Sequence, residues 1–490
     1  MTLRDLLRDL TTHPVPAIPV TGIACHSKQV RPGDLFIAVR GPNQDGHDYI
    51  EEAARRGACA IVVERQLGGR YLAQPVIQVF DTQQILPVVA ARFYGRPIER
   101  LRLVGITGTC GKTTTAYLTK AMLEAADHRV GLFGTVAYEI GQRHLPSTNT
   151  TPGPVALQSM MAQMVEQGIG WCTMEVSSHA LEQRRVDGLA FDAAVWTCLG
   201  SDHLDYHKTL EAYARAKRRI FSYLRPGGLA IINMDDAYGQ TLAETLPHDT
   251  VVTYGVERAA TVHVRVTECG WHGMQMTVES PWGTFGISTP LVGRYNASNI
   301  AAALTTCLAL RVPPSAIQSA LSSFSLVPGR LERVANDSGV HVVIDFAHTA
   351  DALERALLAV RELVRGRLIV VFGCGGDRDQ LKRPAMGKAA ALLADHVVLT
   401  ADNPRSEDPT DIMRQICAGF PTGYDECTML VDREEAIHAA LAMAKPEDAV
   451  LIAGKGHEAY QIFQHTAIPF SDRDVVARYF ERSDRTVTTV

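Results

Sequence analysis

The sequence predicts a three-domain α/β protein. A smaller N-terminal α/β domain precedes a central P-loop-type domain, a mostly parallel sheet with helices on both faces, and a C-terminal Rossmann-like α/β domain follows. Three observations lead there. The chain has 490 residues, about three domains at roughly 150 residues each. Short apolar runs alternate with helical patterns from about residue 100 onward, the pattern of a parallel sheet covered by helices. A glycine-rich turn at 107–111 joins an apolar run to a helical one, as phosphate-binding loops do.

Residues 1–99 form the first expected domain, with apolar runs at 35–39, 60–63 and 76–80 as strands and the turn-rich stretch 40–46 as a link. The RPIER segment at 96–100 leads into a strand at 101–106, which opens a second domain over 100–329. Its other strands are predicted at 130–134, 171–176, 192–197 and 229–233, and its helices at 113–126, 154–167, 209–223 and 297–309. Between 250 and 288 the apolar period changes to two, in runs such as VHVRV and MQMTV, which predicts a small antiparallel insert. The SLVPGR segment at 325–330 is the second boundary. Beyond it, strands at 342–346, 368–373, 396–400 and 449–453 make 330–490 a second doubly wound unit.

Composition narrows the function. Hydrophobic residues at 46% and charged residues at 21% describe a soluble chain with material for several cores. Basic side chains number 48 against 53 acidic ones, a net charge of −5 with no global attraction to nucleic acid or anionic membrane. Among ten cysteines no two have C-x-x-C spacing, which excludes a zinc ribbon or a thioredoxin-like site. No apolar run approaches the ~18 residues a bilayer span needs, and MTLRDLLRDL carries charge where a signal peptide needs an apolar core. A cytosolic chain with reduced thiols is expected.

Three segments carry chemistry. In Thr107-Gly108-Thr109-Cys110-Gly111-Lys112-Thr113-Thr114, glycines let backbone N–H groups turn toward phosphate oxygens and the helix N-terminus adds its dipole. Lys112 would reach the terminal phosphates and Thr113 would offer a hydroxyl to Mg²⁺. The generic G-x-x-x-x-G-K-[ST] spacing is not met, because position 106 is Ile. Glu175, at the end of the strand before Val176-Ser177-Ser178-His179, is placed to hold Mg²⁺ beside such a loop. Asp202-His203-Leu204-Asp205-Tyr206-His207 lacks the H-E-x-x-H frame of a zinc helix, leaving a loop with one functional His as its reading. Glu211 to Phe221, by pattern alone, is a helix with a solvated basic face that includes Lys217.

Taken together and in order, these segments resemble the Mur ligase family, ATP-dependent ligases that build the peptidoglycan stem peptide. TGTCGKTTT, Ser147–Pro152, EVSSHALEQRR, DHLDYH and EAYARAK are followed by GRYNASN at 293–299, PGRLE at 328–332 and DFAHT at 345–349. GCGGDRDQLKRP at 373–384, Asp402-Asn403-Pro404-Arg405 and Gly454-Lys455-Gly456-His457-Glu458 complete the set, which spans nearly the whole chain. The resemblance implies transfer of the γ-phosphoryl group of ATP to a substrate carboxylate. The acyl phosphate is then attacked by an incoming amine, and phosphate leaves from a tetrahedral intermediate. Gly108, Thr109, Gly111, Lys112, Thr113 and Thr114 would hold ATP, with Asn296, Asn299, Arg330, Asp345 and His348 meeting it as the C-terminal domain closes. Mg²⁺ would lie on Thr113 and Glu175, and a second Mg²⁺ on Glu175, His203 and Lys217. An ammonium repels a cation, so Lys217 would serve as the family's lysine does, carbamoylated by CO₂ to N6-carboxylysine.

The resemblance also implies the substrates. A UDP-N-acetylmuramoyl dipeptide, L-Ala-D-Glu, would lie between the first two domains, on Cys25, Ser27, Pro42, Asn43 and Gln44 at its UDP end. Thr150, Thr151, Ser177, Gln183 and Arg185 would take its muramoyl dipeptide end. The amino acid would be meso-diaminopimelate, its distal carboxylate on the Arg405 fork and its amine on acceptors from Asp402, Asn403 and Glu458. Arg378, Pro404 and Gly454 match further contact positions. Partners are thus small molecules, with no nucleic acid or membrane, and the chain is expected to act as a monomer. A folylpolyglutamate synthetase-like ligase, a lysine-adding ligase and a regulator that binds nucleotide without ligating are the competing readings; the N-terminal domain, Arg405 and the retained Lys112, Glu175, His203 and Lys217 argue against each in turn. Four departures stand out: Cys110 where the family's loop usually has Asn, His26 for Asp beside Ser27, Gly200-Ser201 before DHLDYH where Ser-Arg is usual, and Ala350 for Pro. A cysteine at a helix N-terminus is expected to have a lowered pKa, so ATP turnover is predicted to be sensitive to thiol oxidation.

Overall fold

Strands with near-continuous burial, as parallel strands covered on both faces require, form the middle of three large sheets in the computed structural model, beside one two-stranded hairpin of Tyr460–Phe463 and Thr466–Pro469. The structure describes residues 1–41, 44–65 and 72–487; the expected contacts of Pro42 and Asn43 lie outside these. In the first sheet Gly22–Ala24, Asp34–Ile37, Ala60–Val63 and Val76–Gln78 pair in chain order, all parallel. The last strand stops short of residue 80. Asp81 turns the chain there and caps helix Thr82–Phe93 by accepting from the Gln84 N–H, which leaves Phe80 exposed. That helix packs against Pro154–Glu166 of the next unit.

Eleven strands form the central sheet. Its middle is parallel: Leu224–Asn233, Phe191–Trp196, Arg102–Thr107, Trp171–Glu175 and Val130–Phe133 in spatial order. Arg102–Thr107 therefore has parallel neighbours on both sides, with Ile106 beside Val195 and Glu175. Ligand loops of open α/β sheets gather at the carboxyl ends of such strands. The segments at 250–288 are not an insert. Val262–Gly270 pairs in parallel with Val251–Gly255, then antiparallel hairpins through Gly273–Ser280 and Gly283–Thr289 lengthen the same sheet. Their alternate residues Val262, Val264, Met274, Met276 and Val278 join the core beneath helices Arg294–Ala309 and Pro314–Ser323. The period of two thus marks one buried face of the main sheet. At the opposite edge, a hairpin of Ala137–Ile140 and Arg143–Pro146 is added.

The third sheet runs Glu332–Val334, His341–Asp345, Ala449–Ala453, Leu368–Phe372, His396–Leu399 and Cys427–Met429 in spatial order, parallel after its first antiparallel edge. Its helices start where the sequence supplies caps: Thr349, Asp408 and Asp432 each accept from a first-turn N–H.

Candidate active site

The phosphate loop leaves the central strand between two fixed points. Thr107 Oγ1 donates to the Val176 carbonyl (2.8 Å), and the Thr109 N–H donates to the Cys198 carbonyl (2.8 Å). Gly111 has φ of 84°, and a Cβ there would fall 2.3 Å from Asn299 Oδ1. On Gly108 it would fall 1.9 Å from Thr197 Oγ1. Both positions need glycine, one for its left-handed backbone and both for the close approach. Helix Lys112–Glu124 starts immediately after, so its unpaired first-turn N–H groups face the loop mouth. Lys112 Nζ folds back onto the carbonyls of Gly108 (2.8 Å) and Thr109 (2.9 Å), and Thr114 is buried.

Glu175 ends its strand 1% exposed. Its carboxylate accepts from Thr113 Oγ1 (3.0 Å), the Thr135 N–H (2.7 Å) and Thr135 Oγ1 (3.1 Å). Thr135 has no local signal in the sequence; the pairing of Val130–Phe133 with the Glu175 strand brings it there. The oxygens of Thr113 and Glu175 form a hard donor pair at a helix N-terminus, which suits Mg²⁺.

Lys217 is not on a solvated face. It is 1% exposed, donates to the Gly108 carbonyl (2.7 Å) and lies 4.5 Å over the Tyr213 ring. Burial, reinforced by Lys112, pushes its pKa well below the ordinary lysine value. Arg215 and Arg218 on the same helix do face solvent. His203 begins the short helix Leu204–His207 with φ of 54°. Its ring stands edge-on to His179 (4.7 Å) and to Tyr213 (6.2 Å), with Nε2 3.4 Å from Asp202 Oδ2. Burial is the main cause that lowers its pKa to about 4, with Asp202 opposing, so the ring is neutral and able to ligate a metal near neutral pH. Among the described residues no three His, Cys, Asp or Glu side chains converge as a metal site. Glu175 is engaged by Thr113 and Thr135, His203 by Asp202, and Lys217 by Gly108.

The C-terminal unit reaches this loop. Arg330 Nη2 donates to Thr113 Oγ1 (3.0 Å), and its guanidinium lies 4.8 Å over Phe346. Asp345 accepts from the Leu331 N–H (2.7 Å) and Tyr295 OH (3.5 Å), and burial raises its pKa. His348 hydrogen-bonds Phe346 O (2.9 Å), and burial lowers its pKa. Asn299 donates to Asn296 Oδ1 (3.0 Å), and Asn296 to Val292 O (2.8 Å).

A second group lies across Glu175. Thr151 Oγ1 donates to the Glu175 carbonyl (2.9 Å) and accepts from the Ser177 N–H (3.0 Å). Thr150 and Thr135 hydroxyls are 3.1 Å apart. The Arg185 fork is held by Gln183 Oε1 (3.0 Å to Nε) and by Thr151 O (3.1 Å). In the N-terminal sheet, Cys25 is exposed while Ser27 is buried with its hydroxyl on Glu52 (2.7 Å); Gln44 is exposed. The Ser27 hydroxyl is therefore already bonded within the domain.

The third group is in the C-terminal sheet. Asn403 donates to Glu458 (2.9 Å) and accepts from Lys455 (3.2 Å) and the Ile462 N–H (3.0 Å). Lys455, fully buried, also holds Glu458 (3.0 Å). Asp402 Oδ2 is buried with no hydrogen-bond partner among the described residues, and a Cβ on Gly454 would sit 2.6 Å from it. Arg405 follows Pro404 with φ of 51°, one Nη on Gly376 O (2.8 Å), while Arg378 is exposed. Lys455 was quoted within its motif yet assigned no role; its burial beside a carboxylate has no sequence signature.

A further expectation is overturned. The Cys110 thiol is pushed well up, first by its hydrogen bond with Cys198 and then by burial. Cys198, which no local motif marks, is the thiol pushed down, by that bond and by Arg355, whose Nη1 is 3.4 Å away. Cys110 precedes the Gly111 cap, and its neighbour across the sheet outweighs the helix dipole.

Comparison with known proteins follows the same division of the chain. The model of the Mur ligase family, catalytic domain, matches residues 19–94. That of the Mur ligase middle domain matches 106–307, and that of the Mur ligase, glutamate ligase domain, 329–456. A UDP-N-acetylmuramoyl-L-alanyl-D-glutamate–2,6-diaminopimelate ligase of Geobacillus thermodenitrificans is 44% identical over 462 residues, 93% of this chain and 94% of that one. The ligase of that name from Geobacter metallireducens is 42% identical, covering 98% of both chains. A solved structure with the same name superposes with a TM-score of 0.70 at 31% identity, over 99% of both chains.

Proposed function

The chain belongs to the Mur ligase family, and from that premise we propose that it joins meso-2,6-diaminopimelate to the D-Glu of UDP-N-acetylmuramoyl-L-Ala-D-Glu, at the expense of ATP, in the cytoplasm. The observation that carries the choice of amino acid is Arg405 beside Asn403 (Nη1 to Asn403 O, 3.4 Å), whose amide holds Glu458, next to the buried Asp402 Oδ2 that has no partner among the described residues. A buried acceptor without a donor is costly, and an ammonium of the amino acid supplies the donor. Arg405 offers a guanidinium fork to the distal carboxylate that lysine lacks.

The residues divide the work. The loop N–H groups and Lys112 hold the phosphates, which requires Lys112 to leave the carbonyls of Gly108 and Thr109. Arg330, brought from the C-terminal unit onto Thr113, offers positive charge where the γ-phosphoryl group develops charge. Thr113 and Glu175 would hold Mg²⁺, which supplies charge neutralisation during phosphoryl transfer. Thr150, Thr151, Ser177, Gln183 and Arg185 would orient the sugar peptide so that its carboxylate meets the phosphate, and Cys25, Ser27 and Gln44 would lie toward its UDP end. Packing of the C-terminal unit over the loop keeps water from the acyl phosphate. Lys217 would react as a neutral amine with CO₂, forming a carbamate and releasing one proton; its burial and lowered pKa support that chemistry, and with His203 and Glu175 it would then present an anionic oxygen to a second Mg²⁺. No helix among the described residues is long and apolar enough to cross a membrane.

The test is a product assay with ATP, Mg²⁺ and the UDP-sugar dipeptide, offered meso-diaminopimelate or L-lysine, with the tripeptide identified by mass and phosphate release followed in parallel. A diaminopimelate product in strong preference is expected. A lysine product would overturn the pocket argument, and nucleotide binding with neither product would overturn the ligase reading.

A further inference from the structure

We propose that Cys110 and Cys198 form a redox-modification site, a dithiol that closes to a disulfide across the phosphate loop and switches nucleotide binding off. The two residues are brought side by side by the sheet. Thr197 N donates to Thr107 O (3.0 Å), Thr109 N to Cys198 O (2.8 Å), and Thr197 Oγ1 to Cys110 O (2.5 Å). Cys198 Sγ lies 3.8 Å from the Cys110 carbonyl. A cation completes the site: Arg355, on helix Ala350–Arg361 of the C-terminal unit, places Nη1 3.4 Å from Cys198 Sγ. Lys112 also acts on Cys110.

Such a pair is divided in role. Cys198, next to the guanidinium, is the thiolate that attacks an oxidant, and Cys110 keeps its proton until it resolves the product. With a hydroperoxide as oxidant, the Cys198 thiolate attacks one oxygen of hydrogen peroxide. The O–O bond breaks, giving Cys198 sulfenic acid and hydroxide. Hydroxide takes the Cys110 proton to give water. The Cys110 thiolate then attacks the sulfenic sulfur, the S–S bond forms and hydroxide leaves. Two electrons pass from the thiols to the peroxide, whose two oxygens end as water and hydroxide. Both cysteines are only partly buried, so a small peroxide can reach them, whereas Cys172, Cys307 and Cys374 are buried with pKa values pushed up by burial.

The disulfide would pin the loop between Gly108 and Gly111, whose backbones set the phosphate cradle, and would take Cys198 from Arg355. Reduction by a dithiol reverses it.

The test uses the full chain and reads nucleotide binding and covalent state, so it is independent of the amide product. After hydrogen peroxide, free thiols are alkylated, the chain is digested, and ATP affinity is measured by calorimetry before and after dithiothreitol. The expected result is a peptide pair joining Cys110 to Cys198, ATP binding weakened at least about ten-fold, and recovery on reduction. Cys198→Ser, compared with its own untreated affinity, should form no such pair and lose no affinity. Arg355→Gln should slow formation of the pair several-fold while reaching the same end point. Both cysteines remaining free under peroxide that oxidises the exposed Cys25, or a cross-linked chain that binds ATP unchanged, would overturn the proposal.

Discussion

Asp472→Ala should unfold the C-terminal unit more readily than any loss of surface charge could. Asp472 opens the last helix and Arg433 the helix Arg433–Met443, and neither side chain is exposed at all. Two charge-assisted bonds join them, Nε to Oδ1 at 2.7 Å and Nη2 to Oδ2 at 2.9 Å, and Nη2 also donates to Ala453 O (3.0 Å). Removing the carboxylate leaves a guanidinium buried against one carbonyl, a loss of about 3–5 kcal/mol. With a slope of about 2 kcal/mol per M urea for a domain of this size, the midpoint should fall by about 1.5–2.5 M. The four tryptophans, at 171, 196, 271 and 282, lie in the central unit, and Trp271 stacks on His341 at 4.0 Å, so its fluorescence reports on one edge of the C-terminal unit rather than on the Arg433–Asp472 pair. Pulse proteolysis in urea, with fragments read by mass, follows the right unit and needs no two-state assumption for the whole chain.

The double variant Arg433→Met with Asp472→Leu separates pairing from packing. Matched apolar replacement of a buried ion pair is often neutral or stabilising, so it should recover most of the midpoint lost by the single change. A single variant that falls by less than about 0.5 M, or a double variant as weak as the single one, would refute the reasoning. Ala453 immediately precedes Gly454 of the proposed amino-acid site, so the single variant that remains folded should also show a raised KM for the amino acid with ATP affinity unchanged.

The remaining predictions concern the site. Arg405→Leu should cut kcat/KM for diaminopimelate about 10- to 150-fold, the worth of one charged hydrogen-bonded contact at about 1.5–3 kcal/mol, with ATP affinity unmoved in calorimetry. Stripping CO₂ and bicarbonate should slow the ligase and restoring them should recover it, with carbon-13 NMR showing a carbamate that Lys217→Gln lacks; a rate indifferent to CO₂ would remove Lys217 from the metal set. Gly111→Ala should lose ATP binding at least ten-fold, since it combines a left-handed backbone, roughly 1–2 kcal/mol for an L-residue, with a Cβ 2.3 Å from Asn299 Oδ1. Burial holds His457 and His203 at about 4, below the ordinary 6.5; the unfolded chain therefore binds more protons between those values, so stability is complete above about 6.5 and falls as pH drops toward 4, which thermal midpoints across that window will check.

Much of this site is written in local chemistry and some of it is not. The phosphate loop is legible because glycine, lysine and threonine must follow one another for the backbone to turn onto phosphate. Glu175 is legible as a carboxylate at a strand end. Lys217 misleads by composition, since its segment holds four cationic residues, yet the helical period already carried the correction: it stands four residues after Tyr213, on the buried face with Ala214 and Ala216, while Arg215 and Arg218 point away. The alternating strands after 250 show which face is buried and not which sheet they join, because the parallel pairing of Tyr254 with Val262 is a contact between strands. Cys198 and Thr135 are beyond local reading for the same reason. Each acquires its role from a neighbour that only the sheet order supplies, 88 residues away for Cys198 and 40 for Thr135.

The Gly108 carbonyl ties these threads together. It accepts from Lys112 at 2.8 Å and from Lys217 at 2.7 Å, and two ammonium groups on one oxygen repel each other. Burial and the neighbouring Lys112 both disfavour charge on Lys217, which has no solvent to stabilise it, and push its pKa well below the ordinary lysine value. A neutral buried amine is the form that reacts with CO₂, and the product is an anion, which turns repulsion toward Lys112 into attraction. The same change would take one ammonium donor from the Gly108 carbonyl and, by attracting Lys112, would alter how firmly that lysine is held at the loop. Lysine carbamoylation and the state of the loop that receives ATP are therefore expected to be coupled, so ATP affinity should differ between the presence and absence of CO₂, and Lys217→Gln should bind ATP with an affinity that CO₂ does not alter.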